Sequence, residues 1–251
     1  MLSIDLNCDM GESFGAFSIG QDSALMSYVS SVNIACGFHG GDPSVMKRTV
    51  HEALAKGVAI GAHPGFPDLQ GFGRRDMKIS PDEIYDIVLY QIGALMGFAN
   101  AAGGRLHHVK PHGALYNMAA KDILLSTAIA QAVKDIDRSL LFVGLSGSIM
   151  IREADRLGLK TVNEVFADRT YQDDGTLTPR TSPNALIHDA AEAAQNVLEM
   201  VQHKRVKSIT GNHFGLQPDS VCIHGDGKNA LMLAKKIVEV LNHHHVSIRR
   251  P

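Results

Sequence analysis

The amino-acid sequence predicts an α/β fold, a single domain over residues 1–251 built as a seven-stranded, slightly irregular β/α barrel of the TIM-like kind. The first observation is a recurring grammar. A short apolar run gains polar residues at its C-terminal end, then passes through a glycine-rich turn into a helix. IDLNCDMGE, VNIACGFHGGD, VAIGAHPGF, HHVKPHGALY, NEVFADRTY and VCIHGDGK all follow it. Chemistry gathered at the C-terminal ends of parallel strands is the layout of barrel enzymes. The second observation is distribution: polar ends fall on six of the seven predicted strands. A doubly wound sheet would collect them at one switch point instead. The third is size, because 251 residues suit one barrel and no low-complexity linker divides them.

Strand one, Ile4–Asp9, alternates Ile4, Leu6 and Cys8 with Asp5, Asn7 and Asp9, so the three polar side chains share a face. Pointed into a barrel mouth they meet solvent or a ligand; the other reading is an exposed edge strand. Gly11, Glu12 and Gly15 make a loop, and Asp22–Ser30 reads as a first helix. Strand two, Val32–Cys36, sets Asn33 on the parity of His39, which stands among Gly37, Gly40 and Gly41. Those glycines cost folding entropy, so packing alone explains His39 poorly. Asp42 before Pro43 reads equally as a helix N-cap and as a site residue. The helix it opens stops at Gly57.

Strand three, Val58–Ala62, ends in His63, Pro64 and Gly65, and the loop Asp68–Arg75 places Arg74 above it. An arginine there suits a carboxylate or phosphate, although solvated surface arginines are commoner. Ser80, Pro81, Asp82 and Glu83 form a capping box that opens a helix ending near Gly103. Its apolar stripe is Ile84, Ile87, Val88, Ile92, Leu95 and Phe98. Strand four, Leu106–Lys110, sets His108, Lys110 and His112 on one face. That arrangement suits an anion, or a lysine of lowered pKa.

Helix Leu124–Ile136 precedes strand five, Leu140–Leu145, and helix Ile149–Leu157 precedes strand six, Thr161–Phe166. Asp168, Arg169 and Tyr171 follow, the first two also readable as a plain salt bridge. The loop Gln172–Pro183, carrying Arg180, reads as an active-site lid before a helix Asn184–His203. Arg205–Thr210 predicts a short extra strand and Gly211–Asp219 a loop. The last barrel strand, Ser220–Ile223, ends in His224, Gly225, Asp226 and Gly227, ahead of a helix running to about Leu241. Glycines at that turn free backbone N–H groups for an anion, but the phosphate-loop pattern GxxxxGK[ST] is absent. His243–His245 reads as a solvated tail and Val246–Ile248 as a closing strand.

Charge and composition remove several function classes. With 24 basic and 26 acidic residues the net charge is −2, so no basic field favours nucleic acid or anionic membrane. Trp is absent and aromatics are 6%, which weakens base stacking. Cys8, Cys36 and Cys222 lack CxxC spacing and fit free thiols. A basic leader and a membrane-length apolar run are both missing, which predicts a cytoplasmic protein.

What converges on the strand ends is Asp5, Asp9, His39, His63, Lys110, His112, Asp168, His224 and Asp226. The set suits hydrolysis or acyl chemistry by general acid–base catalysis. It suits equally a metal held by Asp9, His39 and His63, with an open position for water. No HExxH or GxSxG motif decides between them.

Six motifs carry a further signal: DLNCDMGE at Asp5–Glu12, NIACGFHGGD at Asn33–Asp42, GAHPGFPD at Gly61–Asp68, HVKPHGALYN at His108–Asn117, VFADRTYQDDGTLTPR at Val165–Arg180 and CIHGDG at Cys222–Gly227. In this order, over essentially the whole chain, they resemble the LamB/YcsF family. The resemblance implies a seven-stranded barrel related to sugar deacetylases and glycoside hydrolases. It implies a part in opening the lactam 5-oxo-L-proline to L-glutamate, with ATP cleaved to ADP and phosphate. ATP, a divalent metal and two partner subunits resembling parts of carboxylase-type amidolyases come with that implication.

Strand-end position and parity then suggest roles. Asp9 and Asp226 are expected to activate water or transfer protons, with His224 in the same catalytic group. His39, His63 and His112 are expected as proton shuttles or metal ligands, and Lys110 and Arg74 as neutralisers of a carboxylate or phosphate. Asp5, Asn7, Glu12, Asn33, Asp42, Asp168, Arg169, Tyr171 and Arg180 are expected at the substrate. A stand-alone metal-dependent deacetylase or amidase, and a non-catalytic lactam-binding protein, remain as alternatives.

Overall fold

The structure, a computed structural model, describes residues 2–227 and 229–251. Strands β1 (Ser3–Met10), β2 (Ser31–Ala35), β3 (Ala59–His63), β4 (His108–Val109), β5 (Leu141–Leu145) and β6 (Thr161–Phe166) pair in succession, all parallel. β7 (Arg205–Lys207) and β8 (His213–Gly215) form an antiparallel hairpin outside the ring. β9 (Ser220–His224) pairs with both β6 and β1 and closes a seven-stranded barrel. β10 (Ser247–Ile248) adds to the first residues of β1, below the point where the ring begins.

Helices α1 (Asp22–Leu25), α2 (Pro43–Lys56), α3 (Pro81–Ala101), α4 (Gly113–Ala119), α5 (Ile123–Ile136), α6 (Ile149–Arg156), α7 (Ala190–His203) and α8 (Ala230–His243) connect the strands. The outward faces of the strands, such as Ile4, Leu6, Cys8 and Met10 of β1, are buried against these helices. α3 starts on the predicted capping box, with Ser80 and Glu83 bonding reciprocally, and buries Ile84, Val88, Ile92 and Leu95. None of the described helices is long and apolar enough to cross a membrane.

The inward faces hold a polar interior. Asp5, Asn7 and Asp9 point into the ring, and each is under 5% exposed. β1 is therefore neither an exposed edge nor a solvated wall. Burial requires partners, and the ring supplies them. Asp5 accepts from Ser30, Ser31 and Ser220, while Asn7 donates to Glu164 Oε1 (3.0 Å) and Ser220 (2.7 Å). Asn33 donates to Asn7 (2.8 Å) and Asp9 (2.9 Å) and accepts from His108 Nε2 (2.8 Å). Gly61 makes room for that imidazole: a Cβ at Gly61 would lie 2.1 Å from His108 Nε2. Asp5, Asn7 and Asn33 thus find their hydrogen-bond partners inside the barrel.

Four local expectations change. The first helix is a single turn, Asp22–Leu25, in place of Asp22–Ser30. α7 begins at Ala190 and not at Asn184, because its cap is Asp189, which accepts from the Glu192 N–H. The residues before it stay in the loop, where Leu186 bridges to Arg169. Gly211–Asp219 contains β8, whose Phe214 registers with Val206. α4 was hidden in sequence by the Pro111–Gly113 turn, and Gly113 takes the positive φ of 55° that starts it.

Candidate active site

At the C-terminal end of the barrel three histidines and a glutamate face one another. Glu12, His39, His63 and His112 are all buried, and one ligand-type atom from each lies within 4.8 Å of the others. β3 ends on His63, His112 stands at the N-cap of α4, His39 lies in the glycine turn after β2, and Glu12 follows β1. The His39 and His112 rings stack with centroids 3.7 Å apart. Glycines let them in: a Cβ at Gly65 would sit 2.7 Å from His39 Nδ1, and one at Gly73 2.7 Å from His39 Cβ.

Hydrogen bonding fixes which ring nitrogens carry protons. His63 Nδ1 lies 2.7 Å from the Lys110 carbonyl and His112 Nε2 lies 2.8 Å from the Phe72 carbonyl, so both must donate. In the neutral rings the remaining nitrogens, His63 Nε2 and His112 Nδ1, are lone pairs only 3.0 Å apart. Among the described residues, His39 has no hydrogen bond at either ring nitrogen, and Glu12 Oε1 has none either. Glu12 Oε1 lies 3.4 Å from His39 Nε2 and 3.6 Å from His112 Nδ1. Burial, and then the neighbouring histidine, holds His39 and His112 well below the usual imidazole range, which keeps their lone pairs free. Burial first, and the Asp9 carboxylate second, push Glu12 well above the usual carboxylate range. Lone pairs crowded together without hydrogens fit a divalent cation, and carbonyls orienting the far nitrogens are the usual second layer of such sites. Glu12, His39, His63 and His112 are therefore able to hold a metal.

Asp9 is displaced from that ligand set toward Lys110. Lys110 Nζ lies 2.8 Å from Asp9 Oδ1, 2.8 Å from Glu164 Oε1 and 3.1 Å from Cys222 Sγ. Burial works against this ammonium, but Asp9 and then Cys222 and Glu164 raise it well above the ordinary lysine value. The expectation of a lowered lysine pKa is thus reversed, and its charge is already matched by protein carboxylates. Burial raises Asp9 too, yet His63 and Lys110 outweigh it and hold the carboxyl well below its ordinary value. Asp9 Oδ2 faces His63 Nε2 at 3.4 Å. A second metal-like grouping, Asp9, Cys222 and His224, contains the Lys110 ammonium among its donors and is filled by it.

His224 Nδ1 lies 2.9 Å from both oxygens of Asp168, so it donates to that carboxylate and leaves Nε2 as the other functional nitrogen. Burial pushes Asp168 up, and the His224 imidazole with its hydrogen bond brings it below its ordinary value. Arg74 bonds Asp226 at 2.7 Å and lies over the Phe72 ring. Asp9, His63, Lys110, His112, His224, Arg74 and Arg180 line a chamber of about 30 Å³, enough for a water but not for a ring. Outside it, Arg74, Arg180, Asp168, His224 and Asp226 line a cleft of about 400 Å³.

Three expected site residues have structural bonds, and of these Arg169 also lines the chamber. Asp42 caps α2, accepting from Ser44, Val45 and Gly15 N–H groups. Tyr171 is buried and its hydroxyl accepts from the Phe166 N–H, while Arg169 donates to the Thr178 and Ala185 carbonyls and ties down the loop that follows. The plain Asp168–Arg169 salt bridge does not form, because Asp168 is taken by His224 and Arg169 by those carbonyls. Conversely, Glu164 and Tyr116, which bond each other at 2.8 Å, were not singled out by sequence reasoning. The signal was the lone carboxylate of the TVNEVF strand.

Comparison with known proteins agrees with this architecture. The LamB/YcsF family profile matches residues 4–251. The A subunit of 5-oxoprolinase from Tolumonas auensis is 59% identical over 249 residues, 99% of each chain. Its Bacillus subtilis counterpart is 60% identical over 237 residues, covering 94% of this chain and 92% of its own. A crystal structure of a lactam utilization protein from Thermus thermophilus superposes with a TM-score of 0.93 at 48% identity, covering 99% of both chains. A putative cellobiose-phosphate cleavage protein from Enterococcus faecalis (TM-score 0.56, 16% identity, covering 99% of this chain and 97% of its own) shares the fold alone. A deacetylase solved with substrate (0.50, 14%, covering 98% and 87%) does likewise. A family profile spanning nearly every residue, and relatives of this identity over full length, leave one conclusion: the chain belongs to the LamB/YcsF family.

Proposed function

We propose that the chain is one component of a cytoplasmic, ATP-dependent 5-oxoprolinase that opens 5-oxo-L-proline to L-glutamate together with two partner subunits. The observation that carries the reading is the identity of 59% over 99% of both chains with a protein bearing a 5-oxoprolinase name, joined to a hydrolytic side-chain set at the barrel mouth. A lactam is a resonance-stabilised amide. Phosphorylation of its oxygen by ATP would turn that oxygen into a leaving group, which gives the nucleotide a chemical purpose.

Glu12, His39, His63 and His112 would hold a divalent cation, which when bound supplies Lewis-acid polarisation and a water of lowered pKa. Asp9 stays ionised and, anchored by Lys110 and Asn33, presents a fixed negative charge toward His63. The His224–Asp168 pair is built as a proton-transfer couple, with Asp168 orienting the ring so that one nitrogen is free to take or give a proton. Lys110 neutralises Asp9 and Glu164 rather than the substrate, and Phe166 and Leu177 in the chamber wall help exclude water.

The test is turnover of 5-oxoproline by the chain alone and after mixing with its two partner subunits. Glutamate and ADP formed in equal amounts only by the mixture support the reading; glutamate formed without nucleotide cleavage, or no glutamate in the mixture, overturns it. The metal-capable cluster favours one second reading, an amidase or deacetylase acting alone. It predicts chelator-sensitive hydrolysis of acetylated amides by the isolated chain.

A further inference from the structure

Among the described residues, the charged groups lining the outer cleft are hydrogen-bonded, with Arg180 as the exception. Arg74 is paired with Asp226, Asp168 with His224, and Arg169 with two carbonyls. Arg180, half-buried on the loop between β6 and α7, makes no hydrogen bond and no ion pair among the described residues. Asp168, Asp226 and Asp9 act on it through space without bonding it, so its donors are left open at a half-buried position, which suits an anion.

Its placement says where the anion would lie. Arg74, Arg180 and His224 line both the inner chamber of about 30 Å³ and the outer cleft of about 400 Å³, and so form the wall between them. The cleft also has an apolar lining in Leu186, Ile187 and Leu233. Charge decides the kind of anion. Lys110 is shared between Asp9 in the chamber wall and Glu164 behind it, and none of the three lines the outer cleft. Of the other described residues lining the two spaces, Arg74, Arg169 and Arg180 stand against Asp168 and Asp226, three positive against two negative with histidine counted as neutral. One negative charge balances them. A polyphosphate brings several, and would also lie against Asp168 and Asp226.

We propose that Arg180, with Arg74 beside it, receives the carboxylate of the lactam substrate, and that this contact selects carboxylated lactams over plain ones. The planar fork of an arginine matches a carboxylate with two parallel hydrogen bonds. The ring methylenes then rest on Leu186 and Ile187, and the amide points toward the chamber with Asp9, His63 and His112. The inference rests on the lactam reading given above.

The test is the affinity of the full chain for 5-oxoproline and for 2-pyrrolidinone, the same ring without the carboxylate, measured by calorimetry for the wild type, Arg180→Gln and Arg180→Lys. Turnover by the assembled three-subunit enzyme is measured in parallel. The wild type is expected to prefer 5-oxoproline. Arg180→Gln is expected to reduce that preference by on the order of 30-fold, as loss of a charge-assisted bond should, and Arg180→Lys to restore part of it. A purely structural role would weaken both ligands alike and leave the ratio unmoved, which overturns the proposal. So does a wild type that binds both lactams equally or neither, or a variant whose loss falls on ATP. A preference that collapses in Arg180→Gln, in a chain whose assembled enzyme releases no glutamate, upholds the carboxylate site and rejects the oxoprolinase reading.

Discussion

Replacing Lys110 by Met isolates the charge arrangement at the centre of the barrel. Methionine preserves much of the stem but removes the ammonium that sits 2.8 Å from Asp9 and 2.8 Å from Glu164. Both carboxylates are buried, at 4% and 0% exposure, so water cannot replace the lost cation. Breaking a buried ion pair typically costs about 3–5 kcal/mol. At about 2–4 °C per kcal/mol for a domain of this size, the melting temperature should fall by roughly 6–20 °C. The deficit should also depend on pH. Asp9 is held below its ordinary 3.8, so its contribution in the wild type is present above that value and is lost as pH falls through the folded value. Lys110 is held above its ordinary 10.5, so its contribution is present below that value and is lost as pH rises through the folded value. Between pH 5 and 8 the wild-type pair is therefore fully charged and contributes little slope. In Lys110→Met only His63 and Asn33 remain to offset the burial of Asp9, so it takes up a proton more readily as pH falls, and the deficit should shrink from pH 8 to pH 5. Scanning calorimetry across that range, with Lys110→Met/Glu164→Gln as the second variant, reads all of this. The double variant, which removes one of the two stranded charges, should recover part of the loss. A melting temperature within 2 °C of wild type at pH 7.5, or a deficit that does not change with pH, refutes the reasoning.

Three shorter predictions test the remaining geometry. Chain produced with added zinc should retain close to one equivalent after dialysis by elemental analysis, and Glu12→Gln and His39→Ala should each retain far less; equal retention by all three would disprove the ligand set. Gly65→Ala pushes a methyl to 2.7 Å from His39 Nδ1, so metal affinity measured against a chromophoric chelator should drop roughly 10–100-fold, as it does when a ligand's supporting contacts are lost. Asp42→Ala should destabilise by about 1 kcal/mol through loss of the α2 cap while the KM for 5-oxoproline in the assembled enzyme stays within twofold; a larger shift in KM would return Asp42 to the site.

Parity along a strand is visible in sequence, and it placed Asp5, Asn7 and Asp9 on one face of β1 together. Height along the barrel axis is not visible. Asp5 registers with Ser220 at the start of β9, while Asp9 registers with His224 at its end. One face thus runs from a serine-lined floor to the histidine-rich mouth, and the same residue type meets serines at one end and a lysine and a histidine at the other. Capping was legible because it depends on three or four neighbouring residues, as at Ser80 and Glu83 or Asp42 and Pro43. Asp42 shows the limit of that reading: a strong local cap motif was sufficient, and no site role was needed to account for the residue.

The partners of a buried charge were the other hidden quantity. Lys110 looked like an anion receptor because its strand carries two histidines and no acid, and the acids it meets come from β1 and β6, more than fifty residues away in sequence. Glu164 was passed over for the same reason, since nothing within TVNEVF announces a cation across the barrel. A closed ring brings every inward side chain within reach of side chains from other strands. It can therefore bury an ammonium, two carboxylates and two asparagines with all their bonds made, where an open sheet would leave some exposed. That satisfied interior fixes Asp9 at the mouth. It also distinguishes Arg180, an arginine at the entrance with no hydrogen bond and no ion pair among the described residues, which is why the proposed carboxylate contact is placed there.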